Sequence, residues 1–278
     1  MNDIGLWPRF QLPPRSCDAH CHVFGPADRF AYAAQRRYTP EDAPKEALAA
    51  LHARLGIDRC VIVQGACYGT DHAALLDAVA AAPSRRRGVA LINDSVDDVE
   101  LQRLHDGGVR AARFNFVRRF GELPDADLLA RTTARIAGFG WHLVLHFDPG
   151  ELLAQADWLR SLETTFVIDH FGRVAPEHDG EDARLLLELA RRRHCWIKIS
   201  GVDRVCPPPF RSAVPLARAL LDAAPDRVLW GSDFPHPNAR HPANDDELVE
   251  LIPEFAPAAE LRQRVLVDNP ARLYGFTN

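Results

Sequence analysis

Residues 17–23 read Cys17-Asp18-Ala19-His20-Cys21-His22-Val23, two imidazoles two positions apart inside an apolar run. In an extended strand residues i and i+2 share a face. The spacing therefore predicts a strand with Asp18, His20 and His22 on one side and Cys17, Ala19, Cys21 and Val23 on the other. Two imidazoles on one face are half of a metal site, but taken alone they are better read as a buried pair satisfied by hydrogen bonds. Further ligands at matching positions downstream would separate the two readings.

Outward from this stretch, short Val/Ile/Leu-rich runs recur at 59–64, 87–92, 109–115, 141–147, 165–170, 195–200 and 227–234. Between them lie segments with apolar residues at helical spacing: PKEALAALHARLG, DHAALLDAVAAA, VDDVELQRLHDGG, ADLLARTTARIAGFG, ELLAQADWLRSL, EDARLLLELARRR and FRSAVPLARALLDAA. Several end in Gly or are followed by Pro, as helix ends often do. Eight strands alternating with helices predict a (β/α)8 TIM barrel, with residues 1–278 as one domain. A doubly wound open sheet is the alternative, but no GxGxxG or P-loop follows the first strand. The long connection at 24–44 carries Tyr32, Arg36, Arg37 and Tyr38, and at the catalytic end of a barrel it would serve as a substrate cover.

Composition narrows the function. The chain is 47% hydrophobic and 26% charged with a net charge of −5, and no basic block or basic amphipathic stretch occurs. Nucleic-acid and membrane-surface partners are not expected. The first residues lack a basic segment followed by an apolar one, and no apolar run is long enough to span a bilayer, so a cytoplasmic protein is expected. Six scattered cysteines without CxxC spacing read as reduced, mostly buried thiols.

In a barrel, reacting groups sit at the C-terminal ends of the strands. The fifth run ends in His146, the sixth in His170 and the eighth supplies Asp233, to add to His20 and His22. Each has a bland reading by itself: a strand cap, a bond to Asp169, a turn before Pro235. Together, at strand ends, they read as a functional centre.

The motifs DAHCHVFGP, VIDHFGR and WGSDFPHPN resemble those of the amidohydrolase superfamily, in the same order along the chain. RRYTP (36–40), RFNFVRR (113–119) and the closing LVDNPARLYGF resemble its branch of 2-pyrone-4,6-dicarboxylate lactonases and related lactone hydrolases. The resemblance implies water attack on the carbonyl of a small carboxylated lactone, muconolactone and sugar lactones included. It makes Asp233 the general base and sets His20, His22 and His170 around the carbonyl oxygen. It also assigns Arg113, Arg119, Arg204 and Tyr38 to the substrate carboxylates. Arg173, just after His170, is a further candidate. A guanidinium can hold a carboxylate through two parallel bonds, which favours Arg here.

Two departures from the family pattern bear on chemistry. Where the pyrone dicarboxylate lactonase has a tyrosine at the end of strand five and works without metal, this chain has His146. His20, His22, His146 and Asp233 then form a ligand set for one divalent metal, Zn²⁺ by donor type, with the metal-free mode left open. Tyr68 stands where the pattern has histidine, which puts substrate identity in question. A metal-dependent nonoxidative decarboxylase of aromatic or unsaturated acids, in the same superfamily, is the alternative function.

The remaining candidates read as structural. His52, His72, His105, His178 and His194 are expected to be exposed, His142 a hydrogen-bonded core residue, and His236 a supporting neighbour of Asp233. Lys198, inside a strand run, would orient substrate or snorkel to a barrel end.

Overall fold

The computed structural model describes residues 10–176 and 179–277. Eight parallel strands follow one another around the sheet in chain order: β1 Cys17–Cys21, β2 Arg59–Val63, β3 Arg86–Leu91, β4 Val109–Phe116, β5 His142–Phe147, β6 Phe166–Ile168, β7 Cys195–Ser200 and β8 Val228–Gly231. The helices between them are α1 Lys45–Leu55, α2 Ala73–Ala80, α3 Asp98–Asp106, α4 Ala126–Ala137, α5 Glu151–Ala154, α6 Ala156–Ser161, α7 Glu181–Ala190 and α8 Val214–Ala223. After β8 come α9 Asp245–Phe255, α10 Ala259–Gln263 and α11 Asn269–Tyr274, none of them among the seven helical segments read from the sequence. The (β/α)8 barrel expected from the alternation is the fold found. ELLAQADWLRSL, read as one helix, breaks at Gln155 into α5 and α6.

Strands buried on both faces read as nearly continuous apolar runs, and the side chains sort accordingly. Val61, Val63, Val89, Ala111, Val144, Val167, Trp196 and Leu229 form a separate inner cluster, capped by Tyr274 and Phe276 from the C-terminal segment. Their neighbours Cys60, Ile62, Ala90, Ala112, Leu143, Phe166, Ile197 and Val228 pack outward with the helices. The tail is tied beneath the barrel by Arg59, which donates to the Thr277 carbonyl, and by Arg87, which donates to those of Tyr274 and Gly275.

The first strand departs from strict alternation. Asp18 pairs with Cys60 and Cys21 with Ile62, so two residues, Ala19 and His20, oppose Val61 alone. This is a β-bulge. The Asp18 carboxylate accepts from the backbone N–H of His20, 3.0 Å away, and so takes that N–H out of the ladder. The consequence corrects the two-face reading: Cys17 and Ala19 lie in the inner cluster and Asp18 faces outward, while His20 and His22 still point in.

The barrel closes at the same place. His20 O accepts from Asp233 N at 2.8 Å and His22 N donates to Phe234 O at 2.8 Å. Asp18 accepts from Ser232 N at 3.0 Å and from Ser232 Oγ at 2.5 Å. Gly231 lets the strands meet: a Cβ there would lie 2.7 Å from both the Cβ and the backbone N of His20.

Several structural readings change in place. His52 and His72 are buried, at 7% and 1% exposure, against Asp18 and between Glu100 and the Leu91 carbonyl. His105 and His194 are half-buried, and His178 lies outside the described residues. His142 is buried, but its Nε2 has no hydrogen-bond partner among the described residues; its ring meets Tyr274 edge-on at 5.0 Å. All six cysteines are buried thiols.

Replacing Gly231 by alanine should drive β8 off β1, cost about 1–3 kcal/mol as an overpacked contact, and displace His20. Denaturant unfolding together with turnover checks it: both should fall, and an unchanged midpoint would contradict the tight seam.

Candidate active site

Alternation delivers most of the polar side chains to the upper mouth of the barrel. On β4, Ala111 faces in, and so does Arg113; on β5 Val144 and His146 share the inner face; on β7 Trp196, Lys198 and Ser200 do so. On β6 the same rule points to Asp169, two past Val167. His170, the next residue, arrives by another route, with φ 53 at the start of four consecutive residues, His170 to Arg173, in the left-handed region. Three of these are not glycine, a strained run of the kind that concentrates at functional sites. Asp233 is also left-handed, with φ 66.

Three imidazoles converge on the Asp233 carboxylate. Its Oδ1 lies 3.2 Å from His22 Nε2, 3.6 Å from His20 Nε2 and 3.9 Å from His170 Nε2. Its Oδ2 accepts from Arg204 Nε at 2.5 Å. Burial would raise the Asp233 pKa, but the Arg204 guanidinium, with His170 and His22, holds it well below the usual carboxylate range. Burial lowers His20 to about 4, and it holds His146 and His170 well below the ordinary imidazole value.

Beneath these rings sits a charged cluster that sequence reasoning missed. Asp169 Oδ1 lies 3.1 Å from Lys198 Nζ and 3.2 Å from His20 Nδ1, and Oδ2 accepts from Arg113 at 3.1 Å. Lys198 Nζ is also 3.1 Å from His20 Nδ1. Lys198 is wholly buried and does not snorkel. Burial would raise the Asp169 pKa, yet Lys198, His20 and Arg113 keep it well below its ordinary value. The available signal was parity: Asp169, not His170, occupies the alternation position after Val167.

Above Asp233 is a cavity of about 20 Å³ whose walls include His22, Tyr38, Arg113, Phe120, His146, His170 and Arg204. That is room for about one water, so a lactone ring enters only when the walls part. Tyr38 from the 24–44 loop meets Phe120 across the mouth with ring centroids 5.5 Å apart and the rings tilted, and a larger cavity of about 190 Å³, lined by Arg36 and Arg37, shares both residues as walls.

The other sequence candidates divide. Arg113 and Arg204 reach the cavity already paired with Asp169 and Asp233. Arg119 is exposed, its guanidinium 4.9 Å over the Phe120 ring. Arg173 does not line the cavity, yet its Nε and Nη1 are buried without partners among the described residues. Burial and the nearby Arg204 and Arg119 charges depress its pKa, as befits a cation lacking its anion. Tyr68 is turned away, its hydroxyl accepting from Gly25 N at 2.7 Å, so it is no part of the cavity wall.

The donor set fits a cation. Nδ1 of His22 is held by the Val63 carbonyl at 2.7 Å, which aims its Nε2 at Asp233 Oδ1, 3.2 Å away. Nε2 of His20 and of His146 are buried without hydrogen-bond partners. The ligand atoms of His20, His22 and Asp233 lie within 4.8 Å of one another. His146 faces the same cavity, its Nδ1 3.1 Å from Asn115 Oδ1, but falls outside that group.

The chain is similar to known proteins over nearly its whole length. A family model described as amidohydrolase matches residues 17–276. A 2-pyrone-4,6-dicarboxylate hydrolase of Comamonas testosteroni is 45% identical over 96% of this chain and 92% of that one. A 4-sulfomuconolactone hydrolase of Hydrogenophaga intermedia is 40% identical over 96% and 91%. A solved structure of a candidate 2-pyrone-4,6-dicarboxylic acid hydrolase from Pseudomonas putida superposes with a TM-score of 0.82 at 31% identity, over 96% of this chain and all of that one.

His236 proves to be turned from Asp233. Its Nδ1 lies 3.1 Å from Asp203 and its Nε2 3.3 Å from Asp245. Burial pulls its pKa down, but the two carboxylates outweigh it and lift the value to about 10. Since that exceeds the ordinary value of about 6.5, the pairing stabilises the fold fully below about pH 6.5 and is lost as pH rises through about 10. Stability measured across this range should decline in wild type, and the His236→Gln variant should lack that component; parallel curves would contradict the pairing.

Proposed function

The chain belongs to the amidohydrolase family, and from that premise we propose that it is a hydrolase opening a small carboxylated lactone by attack of water. The observation that carries the reading is the set of buried, unpartnered guanidinium donors, Arg173 Nε and Nη1 and Arg113 Nε, beside a buried carboxylate ringed by imidazoles. Buried guanidinium donors left without an acceptor call for an anion. A substrate carrying carboxylates supplies one, as the hydrolase relatives' 2-pyrone-4,6-dicarboxylate does. The six reduced thiols suit a cytoplasmic setting, and we treat residues 1–278 as one domain. Among the described residues no helix is long and apolar enough to cross a membrane.

In this reading Asp233 takes the proton of the attacking water. Arg204 keeps Asp233 ionised at the cost of basicity, and a substrate carboxylate that competes for the same guanidinium returns basicity to Asp233 as the site fills. Ser200 Oγ, 3.0 Å from His170 Nδ1, donates to that ring nitrogen and leaves the ring proton on Nε2, where it can stabilise the carbonyl oxygen as it gains charge. Lys198 and Asp169 hold His20 from behind. Arg113, Arg119, Arg173, Arg204 and Tyr38 bind and orient the acid groups. His20, His22 and Asp233, with His146 as the further imidazole, would hold a divalent ion, Zn²⁺ by donor type, which when bound polarises the carbonyl and acidifies water. Collapse of the adduct breaks the ring C–O bond and releases a hydroxy acid or its keto tautomer.

A lactone panel followed by absorbance and proton release tests the proposal, with and without chelator. Loss of lactone with one proton released supports it; carbon dioxide from an unsaturated or aromatic acid, with no lactone turnover, would establish the decarboxylase instead. Full activity in chelator on metal-depleted protein would remove the metal from the scheme. Asp233→Asn should lower kcat by about 10³-fold, the scale of a lost general base, while substrate still binds by calorimetry. Arg204→Gln should raise KM roughly ten- to a hundredfold, as loss of a charged hydrogen bond does.

A further inference from the structure

The outward face of β1 carries a second set of metal-capable side chains, separate from the catalytic imidazoles. Asp18 and Cys21 point from the strand toward α1, where His52 Nε2 meets Asp18 Oδ2 at 3.2 Å. Ligand atoms of Asp18, Cys21 and His52 all lie within 4.8 Å of one another, and all three residues are buried. Cys60, opposite Asp18 on β2, is buried on the same outward side and lines a cavity together with His52. A carboxylate, an imidazole and the Cys21 thiol thus surround one point, with the Cys60 thiol on the neighbouring strand as the nearest candidate for a fourth ligand.

From this geometry we propose a structural zinc site built from Asp18, Cys21 and His52, completed by Cys60, whose side chain moves in from β2 as the ion binds. With ligand bonds of about 2.0–2.3 Å, the edges of a tetrahedral zinc site run to roughly 3.3–3.8 Å. The 3.2 Å between Asp18 Oδ2 and His52 Nε2 is already near such an edge. The ion would replace the His52 N–H on that oxygen, while Ser232 Oγ keeps its bond at 2.5 Å. It would likewise displace the protons of the two thiols, one of which, Cys21, now donates to the Val61 carbonyl at 3.5 Å. Thiolates select zinc over magnesium or calcium, and four protein ligands leave no open position for substrate. A cavity of about 310 Å³ lined by His52, Cys60, Arg59 and Arg86 gives an entry path from outside the barrel. The pairs Cys21–Cys60 and Asp18–His52 come from three elements, so no CxxC spacing announces the site.

Cobalt separates this site from the catalytic one, whose donors are nitrogen and oxygen only. Metal-depleted full-length protein, kept under reductant, is titrated with Co²⁺ and followed by absorbance. The expected result is a near-ultraviolet thiolate-to-cobalt charge-transfer band. In Cys60→Ser and in Cys21→Ser that band is lost or weakened, and bound cobalt measured by elemental analysis falls by one equivalent. Cobalt bound by wild type with no such band overturns the proposal, and this arm does not depend on the variants folding. A band unchanged in both serine variants overturns it equally.

Discussion

The seam between β1 and β8 is the constraint on which the rest of the molecule depends. One carboxylate, that of Asp18, accepts from the N–H of His20, from the N–H and hydroxyl of Ser232, and faces His52. These bonds at once bulge the first strand, close the barrel and tie α1 to it. The ladder bonds that finish the closure belong to His20, His22, Asp233 and Phe234. Closing the fold and assembling the candidate site are therefore one event, and Gly231 is required at the closest approach because any side chain would strike His20.

The barrel interior changes character along its axis. At the bottom Tyr274 and Phe276 fill the space with apolar packing. At mid-height Asp169 gathers Lys198, Arg113 and His20, a buried ionic cluster whose desolvation makes it a poor source of stability. Its use is to fix ring orientation: His20 is gripped at Nδ1, and its Nε2 is aimed at Asp233. A core of Val and Leu would be at least as stable and could not do this.

At the mouth the balance of charge favours an anion. The imidazoles whose pKa values are depressed contribute none, while Arg113, Arg119, Arg173 and Arg204 gather around Asp169 and Asp233, with Asp148 and Asp203 also acting on Arg173 and Arg204. Tyr38 and Phe120 shut the small inner cavity from the Arg36- and Arg37-lined one outside it. The connection at 24–44, long for a barrel loop, has a geometry suited to a cover, with its ends joined by the Phe24–Ala43 bridge.

Much of this was readable from residue order alone. Periodicity sufficed for the barrel, because helices and doubly buried strands impose different repeats on apolar residues, and the strand-end rule sufficed to pick His20, His22, His146, His170 and Asp233. Local patterns failed wherever a contact distant in sequence overrode them. Asp18 was set on the wrong face because the bulge depends on Ser232, 214 residues away. His52 was read as exposed because its partner lies on another element, and Asp169 was passed over because the left-handed turn after it brings His170 in as well. Tyr68 and His236 were placed by motif, and their side chains turned elsewhere. The sequence by itself determined which chemistry was available and at which end of the barrel; only the tertiary structure decided which side chain faces which, because hydrogen bonds and ion pairs between strands are satisfied in space and leave no periodic trace in the chain.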